Sequence, residues 1–442
     1  MKVFQVLNHF LPDQTAGTEV YVWALSKQLE KNDVEIKIVI PNYGKAISED
    51  YIYDELKVFK FAETSTVDRQ LIMGFRDSDG LRYFRECLTK HKPDIVHFHE
   101  LAGSNGITLK HVMAAKNSGS KVIFSFHLAG YSCKTGTLIY NEENLCDGKI
   151  DINKCGGCYL QYKGYGRVKT VLNPISRLLY AANINTTKLN NKIGTGLGTS
   201  FLIANQEKDF HLLIDHCDKV IVLTKWYEKI LLLNGVSAKK IQFIPQGLPQ
   251  GFMTASKQTP RNTASPLRII FLGRISYLKG LHLLIEALLQ LPQKVINLDI
   301  YGQADNSDYE LILRQKALHL NNITWRGKLE PKEVINTMQQ YDLLCLCSTF
   351  SEMSPLVIQE AFAAGIPVLA SNVYGNSEQV KDGFNGWLFR FKDVGELKNK
   401  LQMLIADPSL IDSAKKNIPQ VKNFETVSNE YAVLYKEILG LS

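Results

Sequence analysis

At 442 residues, with 45% hydrophobic and 21% charged residues, the chain is longer than the roughly 250–300 residues at which a single core stops growing, so two domains are expected. The composition excludes disordered and fibrous classes. No apolar run approaches the roughly 18 residues of a membrane span, and the opening MKVFQVLNHFLPD, broken by Asn8, His9 and Asp13, reads as a buried first strand and not a signal peptide, which predicts a cytoplasmic protein.

Short β-branched runs and helical stretches alternate from the N-terminus onward. KVFQVL (2–7), EIKIVI (35–40), DIVHFH (94–99), KVIFSF (121–126), KVIVL (219–223) and KIQFI (240–244) form a first series; LRIIFL (267–272), INLDIY (296–301), NITW (322–325), DLLCLC (342–347) and PVLAS (367–371) form a second. Apolar strands joined by helical crossovers predict an α/β protein of two doubly wound, Rossmann-like domains facing a central cleft. The predicted boundaries are 1–245 for the first domain, with an insertion at about 130–200. A Pro/Gly/Ser-rich linker at 246–265 follows, then the second domain at 266–420 and a C-terminal helix at 421–442 that packs back on the first. Ligand chemistry belongs on the loops after the strands.

In the first domain, DIVHFHE carries His97 and His99. Their alternation along the strand is taken to send them to opposite faces, with His99 nearer the functional end. The triplet Asp77-Ser78-Asp79 precedes a helix and reads as capping chemistry rather than a metal-binding Asp-x-Asp. Cys133, Cys146, Cys155 and Cys158 follow in a C-x12-C-x8-C-x2-C array. Four clustered thiols suit a structural zinc first, free or transiently paired thiols second and an iron–sulfur cluster third. The segment 152–206 holds seven Lys and Arg and no Asp or Glu, equal to the whole net charge of +7. It reads either as a solvated face or as a surface for an anionic membrane or a phosphate-bearing substrate. No nucleic-acid module accompanies it, and no nucleic-acid partner is expected.

In the second domain, FLGRISYLKGL (271–281) follows a strand. Gly273 allows close backbone approach, and Arg274 and Lys279 supply two cations suited to a diphosphate. SEMSPLVIQEAFAAG (351–365) places Glu352 and Glu360 in an apolar run. An unpaired buried carboxylate costs several kcal/mol, so each acid needs a partner. The backbone N–H groups of Ser354, Pro355, Leu356 and Val357 are read as a helix N-terminus that seats an anion.

This stretch, continued by IPVLAS and YGNSEQVKDGFNGWLF, resembles the donor-binding signature of the retaining GT-B glycosyltransferases of the family-four type (glycosyl transferases group 1), with two Glu separated by seven residues. FLGRISYLKG resembles the family's Gly-Arg…Lys-Gly loop, AGTEVYVWALSKQL its N-terminal Gly-rich loop and helix, DIVHFHE and FSFHLAG its two His-bearing strand ends, and FIPQGL its linker entry. Two positions depart: Ala16-Gly17 replaces a Gly-Gly pair, and Gln246 replaces an Asn. The four-cysteine box is similar to one in some members.

The resemblance implies transfer of a sugar from a nucleotide-sugar donor to a hydroxyl of a glycan or lipid-linked acceptor in surface polysaccharide synthesis. It implies retention and no catalytic metal, in a cytoplasmic enzyme that associates peripherally with the inner face of the membrane. Arg274 and Lys279 would neutralise the diphosphate, Glu360 would hold the ribose, and Glu352 would contact the transferred sugar. Gly17 would admit the diphosphate, and His127 would sit beside the reacting centre. A sugar-nucleotide epimerase, a phosphorylase or a non-catalytic nucleotide-sugar scaffold on the same architecture are the alternatives.

Overall fold

A computed structural model of the chain describes residues 1–67, 69–72, 76–189, 191–248 and 265–441. Two units emerge: Met1–Gln246 joined by the helix Phe424–Leu439, and Gly247–Asn423. The linker read at 246–265 lies almost wholly outside the described residues.

The first unit is built on strands β1 (Lys2–Val6), β2 (Glu35–Tyr43), β3 (Glu49–Tyr53), β4 (Leu56–Glu63), β5 (Ile95–Phe98) and β6 (Lys121–Phe126). A two-residue-per-arm hairpin, β7 (Ile139–Tyr140) and β8 (Asn144–Leu145), stands apart, and β9 (Lys219–Val222) and β10 (Ile241–Phe243) complete the set. The eight-stranded sheet runs β10-β9-β6-β5-β1-β2-β4-β3. All its pairings are parallel except β3 on β4. β3 and β4 escape sequence reading because EDYIYDELKVFKFAE mixes charges into both strands. β3 sits at the sheet's edge, where polar residues face water on one side.

The second unit contains β11 (Leu267–Leu272), β12 (Ile296–Tyr301), β13 (Ile323–Gly327), β14 (Leu343–Leu346), β15 (Val368–Ser371) and β16 (Gly386–Phe389), all parallel, in the order β13-β12-β11-β14-β15-β16. Successive strand residues face opposite sides. Ile269 and Phe271 enter one apolar cluster and Ile270 the other, as do Leu343 and Cys345 against Leu344 and Leu346. Helices therefore cover both faces, and each fully buried Leu or Ile contributes about 1.5–3 kcal/mol. Asp342, fully buried, clamps the start of β11 to the start of β14 through a two-pronged ion pair with Arg268, at 2.8 and 3.2 Å.

The strand order determines where ligands can bind. In the first unit the chain steps from β1 to β2 in one direction and later from β5 to β6 in the other, so the order reverses between β1 and β5. In the second it reverses between β11 and β14. Loops leaving such neighbouring strands diverge and open a crevice at their carboxyl ends.

Candidate donor and acceptor half-sites

At the reversal in the second unit, the loop after β11 lies against the loop after β14. Gly280 adopts φ +69°, and a Cβ there would stand 1.9 Å from the Cys347 carbonyl oxygen. The Thr349 N–H donates to the Leu278 carbonyl at 2.7 Å, and its hydroxyl to the Tyr277 carbonyl at 3.0 Å. This docking brings Lys279 to Glu352: Nζ to Oε1 is 2.6 Å, with the Ser348 hydroxyl donating to the same oxygen at 2.7 Å. Glu352, which sequence reading assigns to sugar hydroxyls, thus meets the cation assigned to the diphosphate. Arg274 follows another course: its side chain is 71% exposed, with Asp305 at 3.6 Å. Gly273 donates its N–H to the Tyr301 carbonyl at 3.0 Å, and beyond its chain neighbours no atom of the described residues lies within 4 Å of where its Cβ would be.

The helix after this loop is Leu356–Ala363, with Pro355 as its N-cap. Pro355 has no N–H, so the anion-seating set read from sequence reduces to Ser354, Leu356 and Val357. Glu360 sits four residues beyond Leu356, partly buried. Among the described residues no hydrogen bond or ion pair reaches its carboxylate, and burial raises its pKa to about 7. Of the two acids that needed partners, one has Lys279 and the other is left open.

At the reversal in the first unit a buried polar chain runs through Gln5 on β1. His97 and His99 share one face, their ring centroids 4.1 Å apart; the expectation of opposite faces is wrong because residues two apart on a strand point the same way. Hydrogen bonds fix the direction of the chain. The Gln5 carbonyl accepts from His99 Nε2 at 2.6 Å and its amide nitrogen donates to the Tyr435 hydroxyl at 3.3 Å. Burial pushes the His99 pKa well down and that of His127 to about 3, so both rings are neutral. His99 Nδ1 is then bare and accepts from His127 Nε2 at 3.1 Å, which leaves His127 Nδ1 as a proton acceptor. On the other side Tyr435 donates to His97 Nδ1 at 2.7 Å, and His97 Nε2 donates to the Ser125 hydroxyl at 2.7 Å. The helix Phe424–Leu439 supplies Tyr435 and also Tyr431, whose hydroxyl is 2.8 Å from that of Tyr21.

Gln5→Leu is expected to cost about 1–3 kcal/mol for each buried partner left unsatisfied. It should also convert His127 from one tautomer to a mixture, read from side-chain nitrogen chemical shifts. An unchanged His127 signal would refute the relay.

Gly17 opens the helix Gly17–Lys31, and beyond its own turn of chain no atom of the described residues lies within 4 Å of a would-be Cβ there. Two acids at this edge escaped sequence reading. Glu19, buried in the same helix, receives Gln14 Nε2 at 2.6 Å on one oxygen and, among the described residues, has no partner on the other. Glu100 follows β5 and accepts the Asn8 N–H at 2.7 Å. Burial raises both pKa values, with Glu100 adding to the shift of Glu19. A Glu directly after HFH was the available signal for Glu100; Glu19 gave none, since acids are ordinary in a first helical turn.

Asp77 and Asp79 pair with Lys110 and Arg76, and Asp79, although at the N-cap of Gly80–His91, makes no side-chain cap bond. The capping role is replaced by surface ion pairs.

Cys133, Cys146, Cys155 and Cys158 line one small cavity of about 20 Å³ between the β7–β8 hairpin and the helix Ile152–Tyr162. That volume has room for one ion or water among the four thiols. The Asn141 N–H donates to Cys158 Sγ at 3.3 Å. Among the described residues, however, no three His, Cys, Asp or Glu side chains stand in a metal-ligating arrangement. The donor chemistry suits a soft divalent ion, while the closed four-thiolate geometry expected from the spacing is not assembled.

Comparison with known proteins places these two half-sites in context. The profile "Glycosyl transferases group 1" matches residues 253–421, and "Glycosyltransferase Family 4" matches residues 15–144. An uncharacterized glycosyltransferase of Methanocaldococcus jannaschii is 25% identical over 52% of this chain and 61% of its own. Glycogen synthase of Mycobacterium tuberculosis is 26% identical over 47% and 51%. The chain therefore spans only about half to three-fifths of these curated relatives. Among solved structures, Anabaena HepE in complex with UDP and glucose superposes with a TM-score of 0.61 at 18% identity, covering 98% of this chain and 99% of that one. Sucrose-phosphate synthase of Thermosynechococcus elongatus gives 0.68 at 16%, covering 100% of both. The chain accordingly has the GT-B fold of two Rossmann-like domains and carries a family 4 glycosyltransferase domain in its first part and a group 1 glycosyltransferase domain in its second.

Proposed function

We propose that the protein is a retaining glycosyltransferase that moves a sugar, of hexosyl type, from a nucleotide-sugar donor to an acceptor hydroxyl on a glycan or lipid-linked glycan of a surface polysaccharide. The observation that carries this reading is the open Glu360 carboxylate on the helix that follows the Lys279–Glu352 pair at the β11/β14 reversal. Two adjacent ribose hydroxyls donate to one carboxylate, and the diphosphate draws Lys279 and Arg274. Lys279 then turns from Glu352 to phosphate, and Glu352 is released to accept hydroxyls of the transferred sugar.

Cleavage of the donor bond develops positive charge on the sugar and negative charge on the leaving diphosphate. The two cations and the N–H groups of Ser354, Leu356 and Val357 stabilise the latter, so the step calls on no metal ion. Neutral His127, held by the Gln5 relay, offers Nδ1 to a sugar hydroxyl.

The test is product formation from a panel of nucleotide sugars. Free nucleoside diphosphate released only when an acceptor is present, with the sugar on the acceptor in its original anomeric configuration, supports the reading. Acceptor-independent conversion of the donor would favour the epimerase alternative, phosphate-dependent breakdown of a glycan the phosphorylase, and binding without turnover the scaffold.

A structural zinc at the four thiols belongs to the same reading, as the element that would hold the β7–β8 hairpin against the helix Ile152–Tyr162. One zinc per chain is expected in protein purified under reducing conditions. Cys155→Ser with Cys158→Ser should lose it while nucleotide binding in the other unit persists. Elemental analysis that finds no metal in the unaltered protein would remove zinc from the account.

A further inference from the structure

The helix Lys169–Ala181 carries more apolar side chains than it buries: on its inner side Leu172 and Leu179 are half-buried around Ser176. Its buried residue is Ser176, whose hydroxyl is 3.0 Å from that of Ser200 and accepts the Ser200 N–H at 2.8 Å. Val171, Ile175 and Leu178, at four- and three-residue spacing, form one stripe, and they are 59%, 39% and 71% exposed. A helix normally turns its apolar stripe to the core. The exposed apolar side chains continue on both flanks, with Val168 before the helix and Ile184, Leu189 and Ile193 after it. The whole lies inside the 152–206 segment that has seven cations and no acid.

We propose that this face docks the protein on an anionic lipid bilayer, with the helix lying flat in the interface, its apolar stripe inserted and its Arg and Lys residues on lipid phosphates. No described helix is long and apolar enough to cross a membrane; thirteen residues span about 20 Å, which suits a helix lying in the interface. Charge selects this occupant. A second copy meeting the same face by a two-fold axis would bring exposed cations of the segment, such as Arg167 and Arg177, against their own counterparts, with no acid from the segment to offset them. A surface of phosphates is complementary, and each Lys or Arg near it adds to the attraction.

The inference concerns the first unit alone and stands whether or not the chain transfers a sugar. Flotation of the full-length protein with vesicles of phosphatidylcholine, with and without phosphatidylglycerol, tests it. Binding to the anionic vesicles is expected to be at least about tenfold tighter than to the neutral ones and to weaken as salt rises. Val171→Ser, Ile175→Ser and Leu178→Ser combined should lower it about tenfold or more, as should Arg167→Glu with Arg177→Glu. All five positions are exposed, so melting temperature and nucleoside diphosphate binding, measured on the same samples, should not change. Equal flotation of the unaltered protein and both variants would overturn the proposal. So would absent flotation combined with a dimer, seen by sedimentation velocity, that the triple serine variant dissolves, because a second copy would then be the occupant.

Discussion

Lys279→Met is expected to weaken nucleoside diphosphate binding about 100-fold and to destabilise the second unit by about 2 kcal/mol. The first effect follows from loss of a charge-assisted phosphate contact in a sheltered site, worth roughly 1.5–3 kcal/mol. The second follows from the Glu352 carboxylate, only 8% exposed, left with the Ser348 hydroxyl as its remaining side-chain donor among the described residues. Breaking a fully buried pair costs about 3–5 kcal/mol; the 18% exposure of Lys279 lowers that figure. The two effects separate in a double variant. Lys279→Met with Glu352→Gln removes the orphaned charge and should regain most of the stability, while the binding loss remains. Denaturant unfolding and calorimetry on the four proteins of the cycle measure both quantities. Stability that does not return in the double variant would show that Glu352 is not what Lys279 neutralises.

Glu360→Gln is expected to weaken nucleotide binding by roughly tenfold to 100-fold and to abolish a pH dependence present in the unaltered protein. Hydrogen bonds to a charged acceptor are worth about 1.5–3 kcal/mol, and the amide keeps the shape without the charge. The sign follows from the raised pKa. Near neutrality Glu360 is part protonated, at about 7, and ribose hydroxyls donate best to the ionised form. Affinity for the bare diphosphate should therefore rise between about pH 6 and 8, with proton release on binding. The folded protein holds this proton more tightly than the unfolded chain, whose Glu ionises near 4.5. The stability that Glu360 contributes is therefore present at acid pH and is lost as pH rises through about 7. The ligand's own phosphate ionisation is common to both proteins, so the difference between Glu360→Gln and the unaltered chain isolates the side chain. Glu352→Ala, by contrast, should reduce transfer more than nucleotide binding. Equal losses of nucleotide binding in Glu352→Ala and Glu360→Ala would defeat the division of roles.

The sequence by itself determined the fold class. Two series of apolar strands alternating with helical stretches leave parallel sheets covered on both faces as the arrangement that buries them; the second sheet is wholly parallel and the first departs only where β3 pairs with β4. The same run of letters marked Glu352 and Glu360 as carboxylates in need of partners, because burial is costly whatever the fold. It could not say which acid had one. Lys279 lies 73 positions from Glu352, and the pair exists because β11 and β14 are neighbours at a strand-order reversal, a fact of topology that no local period encodes. Gln5 is a similar case. A lone Gln in KVFQVL looks like a flaw in a buried strand until His99 from β5 and Tyr435 from the last helix arrive on either side of its amide. Local pattern also misled where it was read against strand geometry, as with His97 and His99, and spacing alone left the assembly of the four cysteines undecided. The helix Lys169–Ala181 shows the limit most clearly: periodicity reveals a stripe of Val171, Ile175 and Leu178, but only packing decides whether a stripe faces a core or water. Here Ser176, with Leu172 and Leu179, took the inner side, and Val171, Ile175 and Leu178 were left exposed.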